Sequence, residues 1–332
     1  MIPRLLGLPI PMRTLRSEEP SAILVRDLLS KWSTRIAPIS TSLKLTGIGT
    51  RMPRPRNGSS NELTFYMKNT KIKRTLLEAL TRAGKIIRSN FGKEQTITKK
   101  GEFNLVTEID KASEKTIVEL ILKRFPDHSI LAEESPAVTG SGCRWVIDPI
   151  DGTTNFAHGF PIVSVSIGFE REGRLEMGGV FDPFRGELFF AERGKGATLN
   201  GKPIHVSKAK MLSDSLLATG FPYDRSKNPE DYLDMLRIFL TRIQGIRRGG
   251  SAAIDLCYVA CGRFDGYYEM KLSPWDKAGG MMIVEEAGGR LTDFSGIPLT
   301  LAGSQNLVTN GLIHEEMLAA LRPFKHLGGS FS

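Results

Sequence analysis

Between Ile72 and Ala287 the apolar residues change period repeatedly, and that alternation restricts the folds open to this chain more than any other feature. Ile72, Leu76, Leu80, Ala83 and Ile87 recur at helical spacing, and Gly92 closes the run. A second helix is predicted from an N-cap at Thr107, with Asp110 three residues on, an apolar stripe of Ile109, Ile117, Leu120 and Ile121, and a stop at Pro126. Short apolar runs at 129–132, 145–147, 163–169 and 188–191 then read as strands, and Asn200-Gly201 as a hairpin turn. Strands near 216–219 and 266–268 follow, mixed with helices near 231–242, 251–261 and 277–287. Such alternation without a linker predicts one layered domain.

Residues 1–66 stand apart from this pattern. They are rich in Arg, Ser, Thr, Pro and Gly and hold ten Lys/Arg against four Asp/Glu, so +6 of the formal net charge of +9 belongs to them. Only 22–32 shows a short helical pattern there. Too little apolar surface is present to offset the entropy of ordering, so this stretch reads as a disordered or non-native extension, with Met67 as a candidate translation start. The folded domain is expected over 67–326 and a flexible tail over 327–332. Positive charge gathered in such a segment weakens a nucleic-acid reading, which needs a basic face on a folded surface.

The three cysteines, Cys143, Cys257 and Cys261, fit neither a disulfide framework nor a zinc site, which predicts reduced thiols and a cytoplasmic protein. No apolar run is long enough to span a membrane, and the first residues lack a secretory signal.

The stretch Trp145-Val146-Ile147-Asp148-Pro149-Ile150-Asp151-Gly152-Thr153-Thr154-Asn155 carries the most chemistry. An apolar strand delivers Asp148 to its carboxyl end, Pro149 breaks the ladder, and Asp151-Gly152 turns the chain into a helix start at Thr153. Hard divalent cations prefer oxygen ligands, and a helix start offers N–H donors to phosphate. The plainer alternative is an Asx turn in which Asp151 caps a helix. Two further strand or helix ends carry acids: Ile130-Leu131-Ala132-Glu133-Glu134-Ser135, and Pro274-Trp275-Asp276, where Asp276 could serve only as a helix cap.

Glu-Glu-Ser after a strand, then Asp-Pro-Ile-Asp-Gly-Thr-Thr-Asn-Phe, then Trp-Asp at a helix start, together and in this order, resemble the signatures of the inositol monophosphatase family, within the wider group of lithium-sensitive phosphatases. The similarity spans Ile72 to Phe324. It implies an α+β fold, the layered αβαβα sandwich of the inositol monophosphatase and fructose-1,6-bisphosphatase type. It also implies Mg²⁺-dependent hydrolysis of an inositol phosphate monoester by a metal-activated water. By this resemblance Glu133, Asp148, the carbonyl of Ile150, Asp151 and Asp276 hold two to three Mg²⁺ ions, with Asp148 shared between two of them. Asp110 and Thr153, with Glu133, activate the water. Asp151, Gly152, Thr153, Gly250, Ser251, Ala252, Glu269 and Asp276 meet the phosphorylated polyol. A homodimer is implied as well. Ala132 departs from the glycine that many members carry before the acidic pair, and the segment 1–66 is one the family core does not need.

Four other readings compete. A fructose-1,6-bisphosphatase or dual-specificity sugar phosphatase would share the metal site and differ only in the pocket. A sulfur-assimilation nucleotide phosphatase would need an adenosine pocket that is not evident. From another class, an RNA-processing or antitermination partner would contact a transcription complex through its surface, for instance near Arg247-Arg248, where a solvated basic turn is the bland reading. A structural protein whose acids only cap helices is a further alternative.

Overall fold

The computed structural model describes residues 60–94, 96–100 and 105–327. The expectations for 1–59 and 328–332, including the short helical pattern at 22–32, lie outside the described residues. Helix α1 (Ser60–Asn90) begins seven residues upstream of Met67. Its core stripe of Ile72, Leu76, Leu80, Ala83 and Ile87 is fully buried, whereas Met67 is 63% exposed. Hydrophobic periodicity therefore detects this helix only from the point at which it meets the core. A short antiparallel pair, β1 (Ile97–Lys99) and β2 (Leu105–Thr107), leads into α2 (Glu108–Arg124). Thr107 caps α2 as its sequence predicts: the Thr107 backbone N donates to Asp110 Oδ2 at 2.8 Å, and Ile109 N donates to Thr107 Oγ1 at 3.2 Å.

The first sheet comprises β3 (His128–Ala132), β4 (Ser141–Asp151), β5 (Ser164–Arg171), β6 (Arg174–Asp182), β7 (Glu187–Glu192), β8 (Ala197–Leu199) and β9 (Lys202–Ile204), in sequential order. β3 and β4 are parallel, and every later neighbour pair is antiparallel. The second sheet has the order β11-β10-β12-β14-β13, built from β10 (Leu216–Thr219), β11 (Gly245–Arg247), β12 (Gly266–Met270), β13 (Arg290–Thr292) and β14 (Gln305–Thr309). A one-turn helix, α3 (Thr153–Ala157), follows β4, and the remaining helices are α4 (Pro229–Leu240), α5 (Ala252–Ala260), α6 (Pro274–Glu286) and α7 (His314–Leu321).

Three apolar clusters define five layers. Helices α1 and α2 cover one face of the first sheet through Ile72, Leu76, Ile117, Trp145 and Ile167. Helices α5 and α6 lie between the sheets, where Leu256, Ala278 and Met282 join Val146 and Val180 on one side and Tyr267 and Val308 on the other. Helices α4 and α7 cover the outer face of the second sheet through Phe239, Met317, Leu217 and Tyr268. Tyr267 and Tyr268 thus face opposite layers, as successive strand residues must. This is the αβαβα sandwich that the resemblance implies.

Two sequence expectations need correction. β4 does not stop at Pro149: its ladder with β5 runs from Cys143 to Asp148, shifts register, and resumes at Asp151 opposite Ser164. Asp148 stands opposite Ser166, so one extra residue is accommodated in a bulge, which spares the proline from the ladder. The apolar pattern carries no signal for β1, β2, β6, β11, β13, β14 or α7. In β6 the pair Gly178-Gly179 has low strand propensity but is required by space, since a Cβ on Gly178 would strike Gly279 and Met282 of α6.

The described cysteines are free thiols, Cys143 and Cys257 buried and Cys261 partly so. Among the described residues no helix is long and apolar enough to cross a membrane. Because α1 contributes a continuous wall of the first core, Leu80→Ala is expected to lower stability by about 2–5 kcal/mol. Met67→Ala should change it by less than about 0.5 kcal/mol. Denaturant midpoints of the two variants check this contrast.

Candidate active site

Parallel pairing of β3 and β4 brings both strands' carboxyl ends to one edge, where Glu133 and Asp148 emerge. The bulge in β4 then directs Asp151 to the same edge, and the starts of α5 and α6 supply Ser251 and Asp276. Asp148 is 1% exposed, and its Oδ1 accepts from Ile150 N at 3.0 Å. Burial pushes its carboxyl pKa well up, and the charges of Glu133, Asp151, Asp276 and Asp110 push it further. Asp276 is raised in the same way, by burial and then by Asp151 and Glu133, while its Oδ2 accepts from Ser273 N at 2.6 Å.

Asp151 is the most heavily anchored acid. It accepts from Ser251 Oγ at 2.5 Å, Ala253 N at 2.7 Å, Ala252 N at 3.2 Å and Ser164 Oγ at 3.3 Å. Burial lifts its pKa to about 6 against these donors. Glu133 rises to about 7 through burial, opposed by Lys100, whose Nζ lies 3.1 Å from Glu133 Oε1 and also pairs with Glu134.

Asp110 and Thr153 meet beside this cluster. Thr153 Oγ1 donates to Asp110 Oδ1 at 2.8 Å and also lies 3.1 Å from the Ile150 carbonyl oxygen. Asp110 is completely buried and its pKa is raised by that burial, with Thr107 and Thr153 acting against it. Its capping role in α2 uses Oδ2 and its contact with Thr153 uses Oδ1, so one carboxylate serves both. Ser113 Oγ donates to the Pro149 carbonyl at 2.8 Å and pins the bulge to α2. Gly152, with φ 98°, is the turn that joins β4 to α3; a Cβ there would also meet the carbonyls of Ile162 and Gly250.

Asn155, given no role by its sequence, ties the same turn to the start of α5: its Nδ2 donates to Ile162 O at 2.8 Å and Gly249 O at 2.9 Å. Lys100, Ser164, Glu114 and Asp255 were likewise not singled out. Glu114 Oε2 accepts from Glu134 N at 2.8 Å and shapes the end of β3. Spacing could not reveal these contacts, since each joins residues far apart in sequence. Ser251 and the Ala252 N–H, expected to meet substrate, are directed at Asp151. Glu269, from β12, is raised to about 7 by burial, with Arg248 acting against that shift. Arg247 and Arg248 are both exposed.

Do these residues suit a metal? Every donor is oxygen, and four acids gather at one edge where burial raises all four pKa values and neighbouring acids raise Asp148 and Asp276 further, a set suited to a hard divalent cation. Among the described residues no three acidic, histidine or cysteine groups converge on a common point. The carboxylates turn instead to Ile150 N, Ser273 N and Lys100.

The sequence profile of the inositol monophosphatase family matches residues 68–326. The chain belongs to that family. The inositol-1-monophosphatase of Synechocystis sp. is 49% identical over 248 residues, covering 74% of this chain and 86% of the relative. Nus factor SuhB of Haemophilus influenzae is 43% identical over 260 residues, covering 77% and 97%. The solved structure of inositol monophosphatase from Anabaena (Nostoc) sp. superposes with a TM-score of 0.69 at 42% identity, covering 80% of this chain and 97% of that one. SuhB from Bartonella henselae gives 0.73 at 37% identity, covering 76% and 98%. Family membership makes the site that of a phosphatase-type hydrolase, in a family generally dependent on metal.

The raised acids have a measurable consequence. A carboxylate with folded pKa near 7 and unfolded pKa near 4.5 binds more protons when folded, so the stability it allows is lost as pH rises from about 5 through 7. His314, buried with its pKa lowered to about 4, has the opposite slope below pH 6.5, so a difference between proteins is the cleaner readout. Without divalent cations, Glu133→Gln should be more stable than the parent by a margin that grows between pH 5 and pH 8, to on the order of 2 kcal/mol. A margin independent of pH in thermal melts would contradict the assigned desolvation of the Glu133 carboxyl.

Proposed function

We propose that the chain hydrolyses a phosphate monoester of inositol, inositol-1-phosphate to inositol and phosphate, with two to three Mg²⁺ ions held by Glu133, Asp148, the Ile150 carbonyl, Asp151 and Asp276. The observation that carries this reading is the Asp110–Thr153 hydrogen bond set beside Glu133, Asp148, Asp151 and Asp276, whose carboxyl pKa values are all raised, first of all by desolvation. When bound, Mg²⁺ lowers the pKa of a coordinated water and offsets the charge of the phosphoryl oxygens. Asp110 takes the Thr153 hydroxyl hydrogen and thereby aims an oxygen lone pair of Thr153 at the position of the attacking water. Proton removal from that water then runs toward Thr153 and Asp110, with Glu133 as the neighbouring acid.

The backbone N–H groups of Gly152 and Thr153, where β4 turns into α3, face the phosphate. Glu269 receives substrate hydroxyls, and Gly250, Ser251 and Ala252 form the pocket wall. A fructose-1,6-bisphosphatase or dual-specificity activity would use the same acids, and a substrate panel separates these readings.

Neutralising a ligand tests the assignment. Asp151→Asn and Asp276→Asn should each lower Mg²⁺-dependent phosphate release from inositol-1-phosphate by about 100-fold or more. Ca²⁺, with looser coordination, should occupy the site without supporting turnover, and Li⁺ should inhibit. Near-parental turnover in either variant, or equal turnover with Ca²⁺, would overturn the ligand set. No gain in stability is expected at Asp151, because asparagine would replace one acceptor oxygen by an amide NH2 that faces an existing donor, Ala252 N at Oδ1 or the three donors at Oδ2.

A second reading is supported by the 43% identity to a Nus factor: the same fold would also contact a transcription complex. Asp148→Asn should abolish hydrolysis while leaving such binding intact. We propose also that residues 67–326 suffice for catalysis, working as a homodimer. A chain starting at Met67 keeps the buried stripe from Ile72 onward and should hydrolyse substrate within about twofold of the full chain, whereas insolubility or loss of turnover would place essential contacts upstream.

A further inference from the structure

Glu269 is a flexible acid in an acidic neighbourhood, and its position needs a cause. Its own charge field comprises Asp151, which repels it, and Arg248, an exposed cation that attracts it outward. Asp255, buried on α5, is a further acid within reach of both. Left to these forces, the carboxylate would swing toward Arg248 and solvent.

Two residues of the second sheet oppose that motion. Tyr267, fully buried and two positions earlier on the same face of β12, donates its hydroxyl to Glu269 Oε2. Gly220 directly follows β10, which pairs in parallel with β12 so that Thr219 lies opposite Tyr268. Thr219 Oγ1 donates to the Tyr268 carbonyl at 2.9 Å and locks this register. Gly220 is therefore level with Glu269, and a Cβ on Gly220 would fall on the Glu269 carboxylate itself. The Glu269 backbone is held separately, by Asn306 Nδ2 donating to its carbonyl at 3.2 Å. Among the described residues Oε1 accepts no hydrogen bond, which leaves one carboxylate oxygen to meet a substrate hydroxyl.

We propose that Gly220 and Tyr267 are positioning residues: they clamp Glu269 between a bare Cα and a buried phenol, and so decide which arrangement of hydroxyls the pocket accepts. This rests on the polyol-phosphate reading. The atoms a Gly220 side chain would meet are the tip of a flexible glutamate, with no backbone among them. Gly220→Ala should therefore fold and move the carboxylate. Hydrogen bonds to a charged group decide discrimination among substrates that differ by hydroxyls, because a misplaced acceptor leaves polar groups unpaired.

The test uses the full chain saturated with Mg²⁺, with KM and kcat for inositol-1-phosphate and the inhibition constant of inorganic phosphate, which shares the reacting group but has no polyol hydroxyls. Gly220→Ala should raise KM for inositol-1-phosphate about 10- to 100-fold, and Tyr267→Phe several-fold, with the phosphate constant within about twofold of the parent. Equal weakening of both ligands would show a general disturbance of the pocket and overturn the proposal; an unchanged KM would overturn it too. Should Gly220→Ala melt far below the parent, Tyr267→Phe, which removes a single oxygen, decides alone. A parent protein that does not hydrolyse inositol-1-phosphate at all fails the polyol reading itself, an outcome separate from a parent that does so and variants that behave like it.

Discussion

Desolvation of Glu133, Asp148, Asp151 and Asp276 at one sheet edge, with repulsion added at Asp148 and Asp276, is the constraint around which this molecule is arranged. Burying one carboxylate is unfavourable, and burying four together is more so, yet all four pKa values are shifted upward in the same direction at one sheet edge. The surrounding structure supplies partial compensation from several separate elements: backbone N–H groups at the starts of α5 and α6, hydroxyls from Ser164 and Ser251, and the ammonium of Lys100. These groups come from the first sheet, from the middle helical layer and from the loop after β1. Tolerating the acids therefore requires the middle layer to be packed on the first sheet.

Packing makes that coupling rigid. Helices α5 and α6 lie between the two sheets with almost no exposed surface, and their first turns point at the acids. Small residues allow the close approach: a Cβ on Gly280 would strike Leu256 of α5, and one on Gly178 would strike α6. The same helices that form the middle layer consequently act as the mounts for Ser251 and Asp276, so the distance between Asp151 and Asp276 is set by core volume rather than by loop conformation.

Much of this could be read from the residues in order. The stripes of α1 and α2, the Thr107–Asp110 cap and the acids at the ends of β3 and β4 follow from local periodicity and turn chemistry, which operate over a few positions. The resemblance to a family added the five-layer arrangement, which no local rule supplies. What stayed hidden shares one physical trait, dependence on distant partners. Asn155 reads as an ordinary helix residue until Gly249 is beside it; Gly220 reads as a turn until Glu269 lies on it; β6 is disguised by glycines that exist only because α6 passes over them. The first turns of α1 lie ahead of the apolar repeat that starts at Ile72.

The bulge in β4 has a geometrical meaning for the Asp-Pro-Ile-Asp spacing. In a regular strand, residues three apart point to opposite faces, so Asp148 and Asp151 would be separated by the thickness of the sheet. One extra residue between Asp148 and Asp151 reverses the parity of the alternation and sends both acids to the same side. A plain strand ending in the same four residues would present one acid to the core and one to the site. The motif is thus legible as chemistry only together with its irregular backbone, and transplanting it to a scaffold would require copying the defect along with the side chains.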